Sequence, residues 1–489
     1  MSAYVTQLFN NSPIHSYIHD YEGWINFRSN EEACSRLLHY FLLRQFICGE
    51  YLVIQLPMLY TLANIVCLEL FEGKLFHINR SYQMKVILPT MGSPGDVLPS
   101  VFLGAYLKEK GCEVHILAGS GFQAMAENFG LIFHPIANTG ANSKVVNDPG
   151  FSRQETHMAL VADIFLRAID PFMEYAKEHN EPGNTIIMAP ARIMGARLSS
   201  ELYKIPLVSY QLQPSFLDSF DSCNEESVEK ALAAPLGQVR KKLGLPTLKT
   251  SVLKWLFSPQ TVLGYFPKWF ADLQSTHTPH MKQLGFLQWF GETSPLAPPI
   301  QEFLDAGDPP ILFSAGTTSQ KTLSFYSQAV EICEELGVRA IFAPFDSAKM
   351  SKPLPPSIMS MAWAPFQALL PKVAAVVHPG GIGATAEAIR AGVPQLLFGF
   401  AQDQPDNGVR VELAGAGKGI FSHAYENHHL RTSALANGIR EIISTPQMTD
   451  RCKKLAENFK DPTLPYSQTW DILQEVLANQ PSLVELSRS

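Results

Sequence analysis

Val376-Val-His-Pro-Gly-Gly-Ile-Gly-Ala-Thr-Ala-Glu-Ala-Ile389 is a short apolar run that enters a glycine-rich turn and leaves it as a helix. Glycines let a backbone approach a phosphate closely, and a helix N-terminus offers free N–H groups and positive potential. Taken alone, Gly381-x-Gly383-x-x-Ala386 also fits a dinucleotide fingerprint. Asp403, about 20 residues beyond Gly381, stands where that fingerprint wants a ribose-binding acid. The turn comes late in its domain, however, whereas a dinucleotide fold puts it after the first strand. A second small-residue turn, Ser314-Ala-Gly-Thr317, follows the first strand of the same domain. Two such turns on neighbouring strand ends suit a nucleoside diphosphate. An oxidoreductase using NAD(P) or a flavin is the alternative that the fingerprint leaves open.

Around this turn the chain alternates short apolar runs with helical patterns. Ile311–Ser314, Val338–Ala343, Ile358–Trp363, Val373–His378 and Pro394–Phe400 read as strands. Helices are expected from about Gln320 to Leu336 and over Ala384–Ala391. Upstream, Lys85–Thr90, Glu113–Ala118, Leu131–Ile136, Thr185–Ala189 and Pro206–Tyr210 repeat the pattern, with a helix over Leu98–Lys110 stopped by Gly111. Strands alternating with helices specify βαβ units and parallel sheets. Between Phe290 and Pro310 lie Pro295, Pro298, Pro299 and Pro309, which is linker chemistry. The expected fold is therefore α/β, with two tandem Rossmann-like domains facing a cleft and a helical N-terminal extension. The divisions are 1–83 for the extension, 84–295 and 296–465 for the two domains, and 466–489 for a C-terminal helix packing back across the cleft. The aromatic-rich stretch from Gln211 to about Pro259 reads either as loops around a pocket or as packed helices.

Composition narrows the function classes. At 489 residues, about three domains are expected, and a large core needs no disulfides or metals. Charged residues make up 17% against 46% hydrophobic, which argues against extended disorder. A net charge of −7 and the absence of a Lys/Arg run give no field for nucleic acid. The seven cysteines are scattered without a Cys-x-x-Cys pair, as in a reduced, cytoplasmic protein. No secretory signal is legible in residues 1–22. The uncharged stretch Tyr51–Leu68 is near the lower limit for a membrane span, but it contains Gln55, Pro57 and Asn64. A buried or interfacial helix fits it better, which leaves peripheral membrane contact open. Met84 directly precedes the first expected strand and could be the natural start.

The order Trp363-Ala-Pro-Phe-Gln-x-Leu-Leu-Pro371, His378-Pro-Gly-Gly-Ile-Gly383, Ala391-Gly-Val-Pro-Gln395 and Asp403-Gln-Pro-Asp-Asn407 resembles the donor domain of nucleotide-sugar glycosyltransferases. Within them it is most similar to the subgroup that contains the rhamnosyltransferases of rhamnolipid synthesis and the sterol glucosyltransferases. Met91-Gly-Ser-Pro-Gly-Asp-Val-Leu-Pro99 is similar to that subgroup's N-terminal glycine loop. The resemblance covers roughly Met84 to the C-terminus and leaves residues 1–83 without a counterpart.

The resemblance implies a GT-B architecture, with acceptor bound by the first domain and donor by the second. Trp363 would stack on the nucleobase, with Ala364 offering backbone hydrogen bonds. Gly380, Gly381, Gly383, Ala384 and Thr385 would cradle the pyrophosphate, with His378 just ahead of them. Glu387 would reach the ribose hydroxyls, and Asp403 with Gln404 the sugar hydroxyls. Ser314, Gly316 and Thr317 would line the phosphate side, and Gly92 and Ser93 count with the donor-binding set. Each has a plainer alternative: Trp363 as a core residue, Glu387 as a solvated helix acid, Asp403 as a turn or cap residue.

Many relatives use a His after the first strand as the base, and Pro89-Thr-Met-Gly-Ser-Pro94 holds none. Asp96 is then the candidate base, matching the subgroup pattern, although it suits equally well as the N-cap of the following helix. Two positions depart from the family: Pro379 replaces a pyrophosphate-binding His, and Ala384 replaces a small hydroxyl residue. They make a non-catalytic sugar-nucleotide-binding relative a second alternative. No Asp-x-Asp motif and no His/Cys cluster with metal spacing occurs, so no metal and no cofactor beyond the nucleotide sugar is expected. The expected reaction is inverting, metal-independent hexose transfer from a UDP-glucose or dTDP-rhamnose type donor. Its acceptor would be a hydroxyl of a hydrophobic small molecule, sterol or lipid. Oligomeric state is not legible.

Overall fold

The computed structural model describes residues 84–137, 162–217, 225–272, 278, 280–291, 293, 295–316, 322–399, 403–420 and 428–480. The expected N-terminal extension, with Tyr51–Leu68, lies outside these residues. So does Thr317.

Two sheets carry the fold. The first holds β1 (Lys85–Pro89), β2 (Glu113–Gly119), β3 (Ile132–Ala137), β4 (Thr185–Pro190), β5 (Leu207–Gln211), β6 (Thr261–Gly264) and β7 (Met281–Gln283). Their order is β3-β2-β1-β4-β5-β6-β7. The second holds β8 (Ile311–Phe313), β9 (Ala340–Phe342), β10 (Ile358–Ser360), β11 (Ala375–His378), β12 (Gln395–Leu397) and β13 (Gly417–Gly419). Its order is β10-β9-β8-β11-β12-β13. Every pairing among these strands is parallel. Parallel strands need crossovers, and the helices that supply them cover both faces. That is why β1, β4, β5 and β11 are buried along their whole length.

In both sheets the order reverses beside the first strand, between β1 and β4 and between β8 and β11. Such a switch point opens a crevice beyond the carboxyl ends of the two strands, because their connections leave in opposite directions. The segments leaving these four strands are Thr90–Asp96, Ala191–Ile193, Ser314–Gly316 and Pro379–Gly383. They contain Asp96 and glycines of both small-residue turns singled out by sequence.

The two sheets belong to one packed body. Phe266, Phe270 and Phe286 from the end of the first share an apolar cluster with Ile389, Leu397 and Val411 of the second. The helix Leu464–Ala478 follows the second sheet in sequence but packs on the first. Its Tyr466, Ile472, Leu473 and Val476 sit with Val86, Leu88, Val208 and Leu263. Tyr265 and Thr469 hydroxyls lie 2.9 Å apart there, and the Tyr466 hydroxyl donates to the Gln288 carbonyl at 2.6 Å. The stretch after β5 resolves into packed helices, Glu225–Lys242 and Val252–Leu256, around Leu236, Trp255 and Phe257. Among the described residues no helix is long and apolar enough to cross a membrane. Cys112, Cys333 and Cys452 are buried free thiols.

Candidate active site

The helix after β1 runs over Pro94–Glu109, one turn earlier than the apolar pattern suggests. Pro94 is tolerated in the first turn, where an N–H would have no helical partner. Ser93 is the N-cap, which corrects the alternative reading of Asp96 as that cap. Asp96 is at N3, and its Oδ2 accepts from Ser93 N and Ser93 Oγ, both at 2.9 Å. This is the return half of a capping box. Gly92 has φ +132°, and a Cβ there would stand 2.3 Å from Asp96 Oδ2, so only glycine admits the carboxylate.

The other carboxylate oxygen, Oδ1, is taken by Arg192 Nη2. Arg192 leaves the end of β4, the strand that flanks β1 at the switch point. Asp96 and Arg192 are about a quarter exposed, at 24% and 27%. Burial works against the guanidinium charge, but Asp96 more than compensates and holds its pKa above the ordinary value. Beside the pair, the buried Tyr210 at the end of β5 has its hydroxyl 2.6 Å from Ser100 Oγ. Burial pushes that phenol up to about 12, so it stays protonated.

On the second sheet the two turns meet. Gly316 has φ +75°, and a Cβ on it would touch the Pro379 ring at 3.2 Å. Gly380 has φ +102°, and a Cβ there would meet the Gln404 carbonyl and Leu397 at 3.1 Å. Gly381 and Gly383 differ: a Cβ on either meets nothing within 4 Å. Gly381 is the N-cap of the helix Ile382–Arg390. The first N–H groups of that helix have no intrahelical partner, and they open onto this space. Ala384 lies in the same first turn, half-buried.

Two residues expected on the phosphate are corrected. His378 is completely buried, with Nε2 2.9 Å from Gln395 Oε1 and Nδ1 accepting from Gly380 N at 3.1 Å. Both ring nitrogens are engaged inside the sheet, so it supports the turn and does not face a ligand. Thr385 is also completely buried, and its N–H is bonded to the Gly381 carbonyl at 3.0 Å. It has neither its N–H nor an exposed hydroxyl to offer. Ser314 is buried and accepts from Gly316 N at 3.3 Å, which shapes the first turn.

Burial pushes His378 down to about 4, only partly opposed by its bond to Gln395. The folded chain thus disfavours the imidazolium, and the unfolded chain takes up a proton first as pH falls below about 6.5. The stability that neutral His378 supplies is complete above that pH. It is lost towards pH 4, with a slope of up to about 1.4 kcal/mol per pH unit. The stability difference between the parent and His378→Gln should shrink over this interval; a constant difference would exclude this role.

The remaining residues line the open side. Trp363, following β10, is 63% exposed, which excludes the core alternative. Ala364 beside it is buried. Glu387 Oε2 accepts from Arg390 Nε at 2.9 Å and Nη2 at 2.5 Å. Burial raises its pKa, with Arg390 opposing. Asp403 is the N-cap position of the helix Gln404–Leu413, yet its Oδ2 accepts from the Asn407 side chain at 2.7 Å. Gln404 is held close to Gly380. Burial, and next the charge of Asp96, push Asp403 up to about 6, with Asn407 and Arg192 acting against the rise.

Sequence reasoning missed two residues. Asn407 lies inside a recognisable motif without a role; buried, it donates to the Gly380 carbonyl at 2.9 Å and so ties the turn to Asp403. Arg192 follows an apolar strand directly, the only local signal it carried.

The comparisons with known proteins agree with this geometry. The family profile described as "Erythromycin biosynthesis protein CIII-like, C-terminal domain" matches residues 331–467. O-mycaminosyltylonolide 6-deoxyallosyltransferase of Streptomyces fradiae is 25% identical over 410 residues, covering 76% of this chain and 93% of its own. Among solved structures, the calicheamicin glycosyltransferase CalG4 superposes with a TM-score of 0.64 at 18% identity, over 81% of this chain and 99% of that one. Spinosyn rhamnosyltransferase SpnG, complexed with thymidine diphosphate, gives 0.58 at 20% identity, over 80% and 99%. With its two parallel sheets and their switch points, the chain has the GT-B fold of these glycosyltransferase structures.

Proposed function

We propose that the chain moves a hexose from a nucleoside diphosphate sugar to a hydroxyl of a hydrophobic small-molecule acceptor, with inversion and without a metal ion. The observation that carries this reading is the pair of facing crevices. One presents a carboxylate, Asp96; the other presents a helix N-terminus bordered by unobstructed glycines, and the same sheet carries an exposed indole, Trp363, after β10.

In this reading the nucleobase stacks on Trp363, and Glu387 Oε1, which Arg390 does not engage, takes a ribose hydroxyl. The diphosphate sits over Gly381 and Gly383 and receives N–H groups of the helix Ile382–Arg390. Asp403 and Gln404 hold sugar hydroxyls, since ionised carboxylates and amides accept such bonds. Asp96 takes the acceptor proton as the acceptor oxygen bonds to the anomeric carbon. The carbon–oxygen bond to the diphosphate breaks on the opposite side, and its electron pair leaves with the phosphate. Attack and departure on opposite faces invert the anomeric centre. Fixed backbone donors and the helix dipole stabilise the leaving group and do the work that a cation would otherwise do.

A dTDP- or UDP-linked hexose is the favoured donor class, since the similar SpnG was solved with thymidine diphosphate. The acceptor is a hydrophobic natural product, in keeping with the O-mycaminosyltylonolide in the name of the Streptomyces fradiae relative. The decisive test is acceptor-dependent release of nucleoside diphosphate from a panel of nucleotide sugars. Turnover should survive chelator, and the product should carry the opposite anomeric configuration. Binding without release would favour a non-catalytic protein; activity lost to chelator and restored by magnesium would remove the metal-free mechanism.

A further inference from the structure

We propose that the first sheet carries a second binding site, at the amino ends of its strands, for a small organic anion. The ligand has an oxyanion head and an apolar body, and the transfer reaction does not use the site.

A cavity of about 340 Å³ opens there, within the about 300–1,000 Å³ that small-molecule sites span. Of its wall, Ser258 precedes β6, and Thr278 and His280 precede β7. Ser258 Oγ donates to the carbonyl of Leu207, the first residue of β5, at 2.5 Å. β5, β6 and β7 run parallel to β1 and β4. Their amino ends therefore lie at the opposite end of the sheet from Asp96 and Arg192, which follow carboxyl ends.

The polar part of the wall is cationic. Arg197, Lys254 and His280 line it, and among the described residues no carboxylate does. Arg197 Nη2 is 3.2 Å from Glu201 Oε1, but Glu201 also accepts from Arg240 Nη1 and Trp255 Nε1, both at 2.6 Å. One carboxylate thus answers two guanidiniums, and one positive charge is left over. Burial lowers the Arg197 pKa below its ordinary value; Glu201 opposes this and Arg240 adds to it. Lys254 and His280 are exposed, and among the described residues neither makes a hydrogen bond or ion pair.

Thr278 points to a ligand independently. It is 5% exposed, and its Oγ1 has no hydrogen-bond partner among the described residues. A buried hydroxyl without a partner is destabilising, and a ligand oxygen would satisfy it. Beside these donors the wall is apolar, with the buried Trp255 and Val262. Cations and a hydroxyl suit an oxyanion, whereas an indole and a valine suit a ring or short chain. A neutral ligand would leave the cations unanswered.

The test is calorimetric titration of the full chain with phenyl phosphate, beside inorganic phosphate as the head alone and benzyl alcohol as the body alone. Phenyl phosphate should bind about tenfold tighter than either, since each supplies only part of the contact. Lys254→Met should weaken it by about tenfold, the value of a hydrogen bond to a charged group. Thr278→Val should weaken it by about threefold to tenfold, yet hold or raise the melting temperature without ligand, because an unpaired buried hydroxyl is removed. A purely structural threonine would lose stability and keep affinity. Equal affinity in the parent and both variants overturns the site, and so does phenyl phosphate that binds no tighter than inorganic phosphate. Cosedimentation with phosphatidylcholine vesicles, with and without phosphatidate, identifies the source of the head. Capture by phosphatidate vesicles alone makes it a lipid headgroup, and no capture makes it a soluble anion.

Discussion

Asp96→Asn should lose transfer by about a thousandfold in kcat and keep its donor affinity, the range expected when a positioned general base is removed. The substitution is nearly isosteric. An Asn oxygen can still accept from Ser93 N and Oγ, so the start of the helix Pro94–Glu109 keeps its cap. What it cannot do is take a proton at neutral pH. Asp96 belongs to the first sheet, whereas Trp363, Gly381 and Glu387 belong to the second, so donor binding should not notice. Calorimetric titration with a nucleoside diphosphate and a transfer assay separate the two effects. Transfer at the parental rate would move the base elsewhere, and Asp403, pushed up to about 6, would be the next group to examine.

Trp363→Ala should weaken nucleoside diphosphate binding by about 10- to 100-fold, as base stacking on an aromatic face is worth about 1–3 kcal/mol. At 63% exposure the indole contributes little to the core, so the melting temperature without donor should hardly change. That pairing is the point of the experiment. A core tryptophan would lose stability and affinity together, and a passive surface tryptophan would lose neither. Unchanged affinity would remove Trp363 from the donor site.

Much of the fold is legible because both sheets are parallel. Val86-Ile-Leu88, Ile186-Ile-Met188 and Val376-Val377 are apolar without alternation, as strands buried on both faces must be. Edge strands β7, Met281-Lys-Gln283, and β13, Gly417-Lys-Gly419, carry no such run and were not expected. They are strands because a neighbour offers a ladder, which is not a property of their own residues. The early start of the helix after β1 was hidden for a related reason: Pro94 and Asp96 complete its first turn through capping rather than through apolar spacing.

The site divides in the same way. Both glycine turns, the indole and the two aspartates were visible, because their residue types are unusual at strand ends. The direction of His378 was not: it ends a strand buried on both sides, so periodicity cannot tell core from pocket. Its neighbour Gly380 binds Nδ1 and Gln395 binds Nε2, and only the register of β11 with β12 brings Gln395 alongside.

Two parallel sheets, a phosphate-type turn opening a helix and an acid after the first strand depend on local sterics and hydrophobic patterning, so they are legible along the chain. The pairing of Arg192 with Asp96, distant along the chain, is not legible there, since it follows from β4 returning beside β1. The packing of the second sheet on the first, through contacts such as Phe266 and Phe286 with Leu397, is likewise a tertiary matter. Strand order and domain packing are set by the summed burial of many side chains, and no single stretch of sequence carries them.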